Sequence, residues 1–330
     1  MTRPARMAGI AASVLLAAAA LGWLLAPGRF AHAWLAGFTL FSLWPLGSMA
    51  LLFIHALTGG RWGEALRPGL LAGVGATVLL PVLALPVLLT LPALYSWARP
   101  EGAALPNRFW LNPACFAVRG AIDLAVWLAL AAAVLRGARL DRLAPFALLA
   151  LAVTVTFAAI DLTMSLDPRF TSSAYGMIAG AGAVVLAMAC AIQLSPEAPP
   201  EVADDIGRLL LALCALWTYL DFMQVLIVWQ NDLVTQTPWY LARSRGAWGW
   251  AMAAVALAHG VVPILALLSP GVRRSRRGLG AVAGLLIGAE VLRSWWTVLP
   301  PLLPGVLDLC CMGLMGAAAA GWTLRRGRYA

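Results

Sequence analysis

Polar residues recur inside apolar segments of this sequence at spacings that place them on one helix face. Thr154, Asp161 and Ser165 stand seven and four residues apart in the run TVTFAAIDLTMS, so an α-helix presents all three on the same side. A carboxylate in hydrocarbon costs about 3 kcal/mol or more. Asp161 is therefore expected to meet a partner, a proton or water inside a bundle, as a proton carrier or as a lock between helices.

Other ionisable residues lie in similar surroundings. The complete set within the apolar segments is His55, Arg119, Asp123, Asp161, Asp221, His259, Glu290, Arg293 and Asp308. Arg119 and Asp123 stand four residues apart, and Glu290 and Arg293 stand three apart. Because residues at these spacings are neighbours on a helix surface, each pair is expected to meet and neutralise itself on its own helix.

Asp221 shares a helix face with Trp217 and Gln224, which gives a second polar stripe that should face inward. Titratable groups at successive depths are what a proton path needs, since each carrier passes its proton on directly or through water. The predicted path consists of Asp161, Asp221, His259, Glu290, His55, Asp123 and Asp308, supported by Arg119, Arg293, Ser165 and Gln224. A set of unrelated contacts that lock helices together is the alternative.

The composition excludes a soluble globular protein, because 62% of the 330 residues are hydrophobic and only 11% are charged. A membrane span needs about 20 apolar residues. Ten segments meet that length, approximately 7–26, 33–57, 70–98, 113–136, 143–165, 172–194, 207–230, 246–269, 278–299 and 304–324. The sequence therefore predicts an all-α polytopic membrane protein with a single integral domain.

The basic residues, all of them arginine, predict the orientation. With the N-terminus inside, 15 arginines fall in the inner loops and tails and 6 in the outer loops. This bias predicts that both termini are cytoplasmic. No basic patch interleaves with stacking aromatics in a loop long enough to form a domain, so nucleic-acid binding is not expected.

The first segment also resembles a secretory signal, since Arg3 and Arg6 precede an apolar run and Ala31-His32-Ala33 imitates a cleavage site. The run of about 20 residues exceeds the usual length of a signal core. We therefore interpret it as a retained helix. Cleavage would leave the orientation of the other nine segments unchanged.

Local irregularities are expected at several positions. Kinks are predicted at Pro45, Pro81, Pro86, Pro92 and Pro263. Gly280, Gly284 and Gly288 recur at every fourth residue and predict a groove in which another backbone approaches closely. The acidic loop from Ser195 to Arg208 is expected to be a solvated connection.

No redox cofactor or metal is expected on this chain. His55 and His259 differ in predicted depth by about 10 Å, a poor match for the two axial ligands of one haem. The sequence contains no CxxCH motif, no phosphate-binding glycine loop, and no CxxC pair among its five cysteines.

Four stretches of the sequence resemble a known family. GSMALLFIHALTGGRWG, TFAAIDLTMSLDPRF, LWTYLDFMQVLIVWQNDL and PWYLARSRGAWGW are similar to the smaller polytopic membrane protein of bacterial alternative complex III, a membrane anchor of the polysulfide-reductase type. The resemblance implies two four-helix bundles, at 33–165 and 172–299, flanked by helices at 7–26 and 304–324. It also implies an inner (cytoplasmic) membrane location.

The resemblance implies membership of a respiratory complex that oxidises menaquinol or ubiquinol. Its partners would be a sister membrane subunit that binds quinol, together with haem c and iron–sulfur subunits, while this chain supplies structure and a proton route without a redox centre. The positions that match the family's motifs are His55, Asp161, Ser165, Asp167, Asp221 and Gln224.

Two alternatives to this function stay open. In the first, the chain itself binds quinol, with His55 or Asp161 taking the hydroxyl proton. In the second, it is a stand-alone secondary transporter, a class in which broken helices and buried charge are common.

Overall fold

The computed structural model describes residues 3–100, 107–231, 234–300 and 302–326, with side chains between residues 13 and 323. Within these ranges the chain is all-α and contains no β-strand. Nine helices of the described residues are long and apolar enough to cross a membrane, and a shorter apolar helix, Ser13–Leu25, precedes them. The predicted fold class, an all-α polytopic membrane protein, is confirmed.

The helices follow one another with short connections. Their bounds are α1 Arg3–Leu25, α2 Pro27–Thr58, α3 Arg61–Ala76, α4 Leu80–Leu89, α5 Leu91–Leu94, α6 Pro113–Leu135, α7 Leu140–Leu162, α8 Tyr175–Leu194, α9 Pro200–Gln230, α10 Thr237–Ser244, α11 Ala247–Val255, α12 Val262–Leu268, α13 Pro270–Arg273, α14 Arg276–Val298 and α15 Val306–Arg326. In the described ranges, 3₁₀ turns lie at Thr77–Leu79, Ser96–Ala98 and Met164–Leu166, and a π-helix joins α11 to α12 at Ala256–Val261.

The prolines break some helices and not others. The third span changes to a 3₁₀ turn just before Pro81, and α4 ends at Leu89, three residues before Pro92. Both breaks fit a residue that has no N–H to donate and that crowds the preceding turn. By contrast, α2 continues as a single helix through Pro45, so this proline does not interrupt its helix.

The two flanking helices pack against each other in opposite directions. Leu307, near the start of α15, lies against Gly22, near the end of α1, while Leu15 lies against Gly313 farther along α15. The first residue of α1 and the last residue of α15 therefore lie at the same end of the molecule. We call this the terminal end and the other the opposite end.

Helix α2 is the centre of the packing and contacts α8 most extensively. Gly47 makes the approach possible, because a Cβ at this position would lie 1.9 Å from the carbonyl oxygen of Ala183. Helices α3, α6 and α7 pack on and beside α2, α9 and α14 pack on α8, and α11 and α12 pack on α14 and α9. The division into two four-helix bundles stays a prediction.

The acidic loop is only in part the solvated connection that the sequence suggested, because Glu197, Glu201 and Asp205 are exposed but Asp204 is not. Helix α9 begins at Pro200, so much of the loop is helical. Asp204 is buried and accepts a hydrogen bond from Arg273 Nε at 2.7 Å and another from Arg208 Nη2 at 2.8 Å. The acid therefore fastens α9 to α13, a contact across 69 residues that local composition does not reveal.

The glycines of α14 do not form a groove for another backbone. A Cβ at Gly280 or Gly284 would meet only the side chain of Gln193, at 3.9 and 3.5 Å, and one at Gly288 would meet nothing within 4 Å. Close approaches between the backbones of two long helices occur at Gly47 of α2, against Ala183, and at Gly69 of α3, against Ala191, so a four-residue repeat alone misidentified the packed face.

Candidate functional site

Three buried side chains, Glu290, His259 and Trp217, form a cluster with the partly buried Arg293 between α9, the π-helix and α14, which we call the Glu290 cluster. Glu290 is 1% exposed and contacts His259 Nε2 through Oε1 at 2.8 Å. Arg293 Nη1 donates to Glu290 Oε2 at 3.4 Å. The predicted pair on α14 therefore forms, but it shares its carboxylate with a histidine from another helix.

The π-helix aims His259 into this cluster. Single π-turns within α-helices occur often at functional sites, and this one carries a histidine with no exposed surface. The ring centroids of His259 and Trp217 lie 3.8 Å apart. His259 Nδ1 and Trp217 Nε1 are both buried without a hydrogen-bond partner in the described part of the chain. Because buried polar atoms are rarely left unpaired, these two nitrogens indicate water or another polar partner in the cluster.

A glycine of α8 closes the cluster from a fourth side. A Cβ at Gly182 would lie 2.9 Å from Glu290 Oε1 and 3.2 Å from Arg293 Nη1. Any larger residue would displace the carboxylate or its partner. Gly182 is thus a positioning residue, and the sequence contains no local signal that separates it from the other 30 glycines.

Glu290 and Arg293 line a cavity of about 80 Å³, which we call the polar cavity. Its other polar walls are hydroxyl groups contributed by α2, α8, α14 and the end of α7, namely Thr39, Ser42, Thr163, Tyr175, Ser294 and Thr297. A water molecule needs roughly 10–15 Å³ of such space and two or more polar partners. The cavity therefore has room and partners for a few waters beside Glu290.

A second group of charges, the Asp161 cluster, consists of Asp161, Arg119 and Trp110. Arg119 donates from Nε to Asp161 Oδ2 at 2.7 Å and from Nη2 to Oδ1 at 2.8 Å, and Trp110 Nε1 donates to Oδ1 at 3.2 Å. The guanidinium also lies 4.0 Å from the centre of the Trp110 ring. Arg119 thus pairs across helices with Asp161, and the predicted neutralisation of Asp123 by Arg119 on α6 is wrong.

Asp123 lies in a cavity of about 130 Å³ between α2, α4, α6 and α7, which we call the apolar cavity. Most of its lining is hydrophobic, including Phe38 and Phe116, and its acids are Asp123 and Asp161. Asp123 is 4% exposed and makes no hydrogen bond or ion pair within the described residues. It is therefore a buried carboxyl that faces the cavity without a partner among the described residues.

The two cavities share a wall made of Trp127, Ala158 and Leu162. Trp127 Nε1 donates to Thr154 Oγ1 at 2.9 Å, which fixes the indole between them. The residues of the polar stripe predicted on α7 thus have different partners. Thr154 binds Trp127 in the shared wall, whereas Asp161 binds Arg119. Ser165 lies beyond the end of α7 and donates to the backbone oxygen of Asp161 at 2.6 Å.

The stripe on α9 is looser than predicted. Trp217 and Gln224 are buried, while Asp221 is only half-buried and has no hydrogen bond or ion pair in the described part of the chain. Gln224 accepts a hydrogen bond from Ser172. Asp221 lines neither the polar nor the apolar cavity.

His55 and Asp308 lie apart from both clusters. His55 Nε2 contacts the carbonyl oxygen of Gly60 at 2.9 Å, and Gly63 packs on its ring. Asp308 is fully buried, pairs with Arg29, and accepts from the backbone N–H of Gly305 at 2.7 Å. His55 connects α2 to α3, and Asp308 fixes α15 to α2. The geometry therefore brings neither residue into the predicted path.

Several residues that shape these sites were not singled out from the sequence. They are Trp110, Trp127, Tyr175, Gly182 and the hydroxyl groups of α2 and α14. Only their aromatic or hydroxyl character hinted at a role, because their partners lie on other helices. Within the described residues no group of three or more His, Cys, Asp or Glu side chains is placed to hold a metal ion. No protein-family model and no curated protein matches this chain.

Proposed function

We propose that this chain is an integral membrane subunit of a quinol-oxidising respiratory complex of the alternative complex III type, where it supports neighbouring subunits and conducts protons. The resemblance of four sequence stretches supports the choice of complex. The observation that supports proton conduction is the shared wall of Trp127, Ala158 and Leu162, which has the unpaired carboxyl of Asp123 on one side and the carboxylate of Glu290 on the other.

The route begins at Asp123, whose unpaired carboxyl exchanges protons with water in the apolar cavity. Across the wall, the hydroxyl groups of the polar cavity relay the proton to Glu290, since Ser and Thr hydroxyls both donate and accept. Glu290 passes this proton to His259 Nε2, with which it is hydrogen-bonded, and the imidazolium then releases its other proton from Nδ1, the nitrogen that has no partner within the described residues. Glu290 offsets the imidazolium charge, and Arg293 offsets the carboxylate when the histidine is neutral.

Asp161 contributes differently from Asp123. Its two oxygens already accept three donors from Arg119 and Trp110, so releasing or binding a proton there would break a buried ion pair. In this proposal Asp161 holds α6 to α7 and keeps Arg119 neutralised beside the cavity, while Asp221 serves as an outlying member of the route.

The partners follow from the proposed complex. Haem c and iron–sulfur subunits would cover the opposite end, which is the outer side when the termini are cytoplasmic, and a sister membrane subunit would bind the quinol. This chain would then move protons that the neighbouring oxidation releases or requires, without a redox centre of its own.

The test compares Glu290→Gln with Glu201→Gln in the complex reconstituted into vesicles. Glu201 is exposed in the first turn of α9 and far along the sequence from either cavity, which makes it a matched control for the lost charge. We expect Glu290→Gln to lower the number of protons moved per quinol oxidised, and Glu201→Gln to leave it unchanged. Full proton movement with Glu290→Gln would contradict the proposal, and failure of the chain to copurify with haem and iron–sulfur subunits would contradict the choice of complex.

A second candidate function, direct quinol binding, is favoured by the apolar cavity. The aromatic and aliphatic lining suits a quinone ring and its first isoprene unit, and Asp123 offers an acceptor for a quinol hydroxyl. Of the two residues considered from the sequence, only Asp161 borders this cavity, because His55 lies at the terminal end. Photo-crosslinking by a quinone analogue to α6 or α7 would support this function, and crosslinking only to a neighbouring subunit would rule it out.

A further inference from the structure

A buried arginine at the opposite end lacks an acidic partner. Arg243, the penultimate residue of α10, is 6% exposed and makes no ion pair with any described residue. Burial lowers the pKa of its guanidinium to about 10, which shows that the surroundings oppose its charge. A buried charge without a counter-charge is costly, so the structure calls for an anion nearby.

The guanidinium of Arg243 is held in place, but one of its three nitrogens has no hydrogen-bond partner within the described residues. Nη1 donates to the carbonyl oxygen of Trp239 at 3.2 Å, and Nη2 donates to that of Thr297 at 2.8 Å. Its carbon lies 3.8 Å from the centre of the Trp239 ring, so the plane of the group is fixed. Nε is buried and has no partner within the described residues. A fixed fork with a free N–H is what an oxyanion ligand requires.

Arg243 lines a cavity of about 490 Å³, which we call the Arg243 cavity. Arg169 and Asp167 lie on the same wall, but Asp167 is occupied, because Arg169 donates to both of its oxygens at 3.1 Å. With His32 neutral, the charged lining amounts to two arginines and one aspartate. The cavity therefore keeps one positive charge that no described residue balances.

The surroundings place this cavity at the level of lipid head groups. Trp239 stacks on Phe170 with ring centroids 4.5 Å apart, and Trp239, Tyr240 and Trp296 form an aromatic cluster next to Arg243. Tryptophan and tyrosine concentrate at the membrane–water interface. The remaining walls of the cavity are largely apolar and are contributed by Leu94, Leu166, Val298 and Pro300.

We propose that the Arg243 cavity binds a phosphate group, with Arg243 as the deep positive partner and Arg169 at the rim. The phosphodiester of an anionic lipid is the source that the aromatic surroundings and apolar walls favour, since basic pockets between transmembrane helices bind lipid head groups. Inorganic phosphate is the other source of the same chemistry. The site is independent of the proton route.

The experiment uses the full chain purified in a neutral maltoside detergent. Native mass spectrometry would measure binding of phosphatidylglycerol and of zwitterionic phosphatidylcholine, and thermal unfolding would be followed with inorganic phosphate against chloride at equal ionic strength. We expect about a tenfold preference for phosphatidylglycerol, the value of one charge-assisted hydrogen bond. Stabilisation by inorganic phosphate alone would instead identify free phosphate as the ligand of the same site.

The variants assign the effect to Arg243. Arg243→Gln should lose the preference, while Arg245→Gln, which removes the same charge from an exposed position two residues on, should keep it. If Arg243→Gln does not fold, Ser96→Glu provides the test, because it adds a carboxylate at an exposed residue of the cavity wall and leaves Arg243 in place.

Two results would overturn the proposal. One is equal binding of both lipids together with no stabilisation by phosphate. That result would indicate that an acidic side chain of a partner protein supplies the counter-charge of Arg243. The other is an unchanged preference in Arg243→Gln or, where that variant does not fold, in Ser96→Glu.

Discussion

The Asp161 cluster and the Glu290 cluster contain the same kinds of groups but differ in how completely those groups are paired. In the first, both carboxylate oxygens accept donors from Arg119 or Trp110, and no buried polar side-chain atom lacks a partner among the described residues. In the second, His259 Nδ1 and Trp217 Nε1 are buried without partners in the described part of the chain, and the neighbouring Glu290 and Arg293 line a cavity with room for water. An ion pair whose buried polar atoms all have partners stabilises the contact between helices. One that leaves a histidine nitrogen without a partner provides a position at which a proton can bind or leave.

The largest expected effect comes from breaking the completed pair. Arg119→Gln leaves Asp161 as a buried carboxylate with one remaining side-chain donor, so we expect the free energy of unfolding to fall by about 3 kcal/mol. Denaturation of the chain in detergent micelles measures this loss.

The control for that variant is Arg139→Gln, whose partner Asp141 is exposed. It should show no measurable change, because solvent screens such pairs. The double variant Arg119→Gln with Asp161→Asn should recover most of the lost stability, and a single Arg119→Gln as stable as the wild type would remove the distinction between the clusters.

The next effect tests how tightly the Glu290 cluster is positioned. Gly182→Ala places a methyl group 2.9 Å from Glu290 Oε1, so we expect a cost of about 2 kcal/mol from overpacking. Proton movement in the reconstituted complex should fall with it.

Gly180→Ala is the matched control on the same helix. Nothing lies within 4 Å of a Cβ at this position, so alanine should stabilise α8 by roughly 0.5–1 kcal/mol through its lower conformational freedom. We therefore expect the stability to fall in Gly182→Ala and to rise in Gly180→Ala. Equal losses of stability in the two variants would show that α8 tolerates no substitution here for reasons unrelated to Glu290.

A smaller effect separates Asp308 from the proton carriers. Asp308→Asn weakens the contact with Arg29 but keeps an oxygen for the N–H of Gly305, so we expect a loss of about 1.5 kcal/mol. Protons moved per quinol should not change, because Asp308 lines neither the polar nor the apolar cavity. A lowered proton yield at normal stability would return Asp308 to the path.

The spans could be predicted from the sequence because their length and apolar character are local properties. The burial of Asp161 and Glu290 was likewise predictable, since a charge in an apolar segment has few other places to go. The ion-pair partners of these acids could not be predicted from the sequence. Arg119 stands one helical turn from Asp123, yet it pairs with Asp161, 42 residues away, because the approach of α6 to α7 depends on the packing of the whole bundle.

The same limit applies to Asp204 and His259. An acid among prolines and other acids looks like part of a solvated loop, and only the contact with Arg273 shows otherwise. Nothing in the sequence around His259 predicts the π-helix that turns its ring toward Glu290 and Trp217. Charged residues can be read from the sequence, but a polar atom without a hydrogen-bond partner can be identified only in the structure, where all of its neighbours are known.

The most direct test of the account compares Asp123→Asn with Asp161→Asn in the reconstituted complex, measuring protons moved per quinol oxidised alongside thermal stability. Completeness of pairing predicts that Asp123→Asn lowers the proton yield at nearly normal stability. It predicts that Asp161→Asn lowers stability but leaves the yield of the surviving complex unchanged. A normal yield in Asp123→Asn, together with a lost yield in a stable Asp161→Asn, would contradict the account.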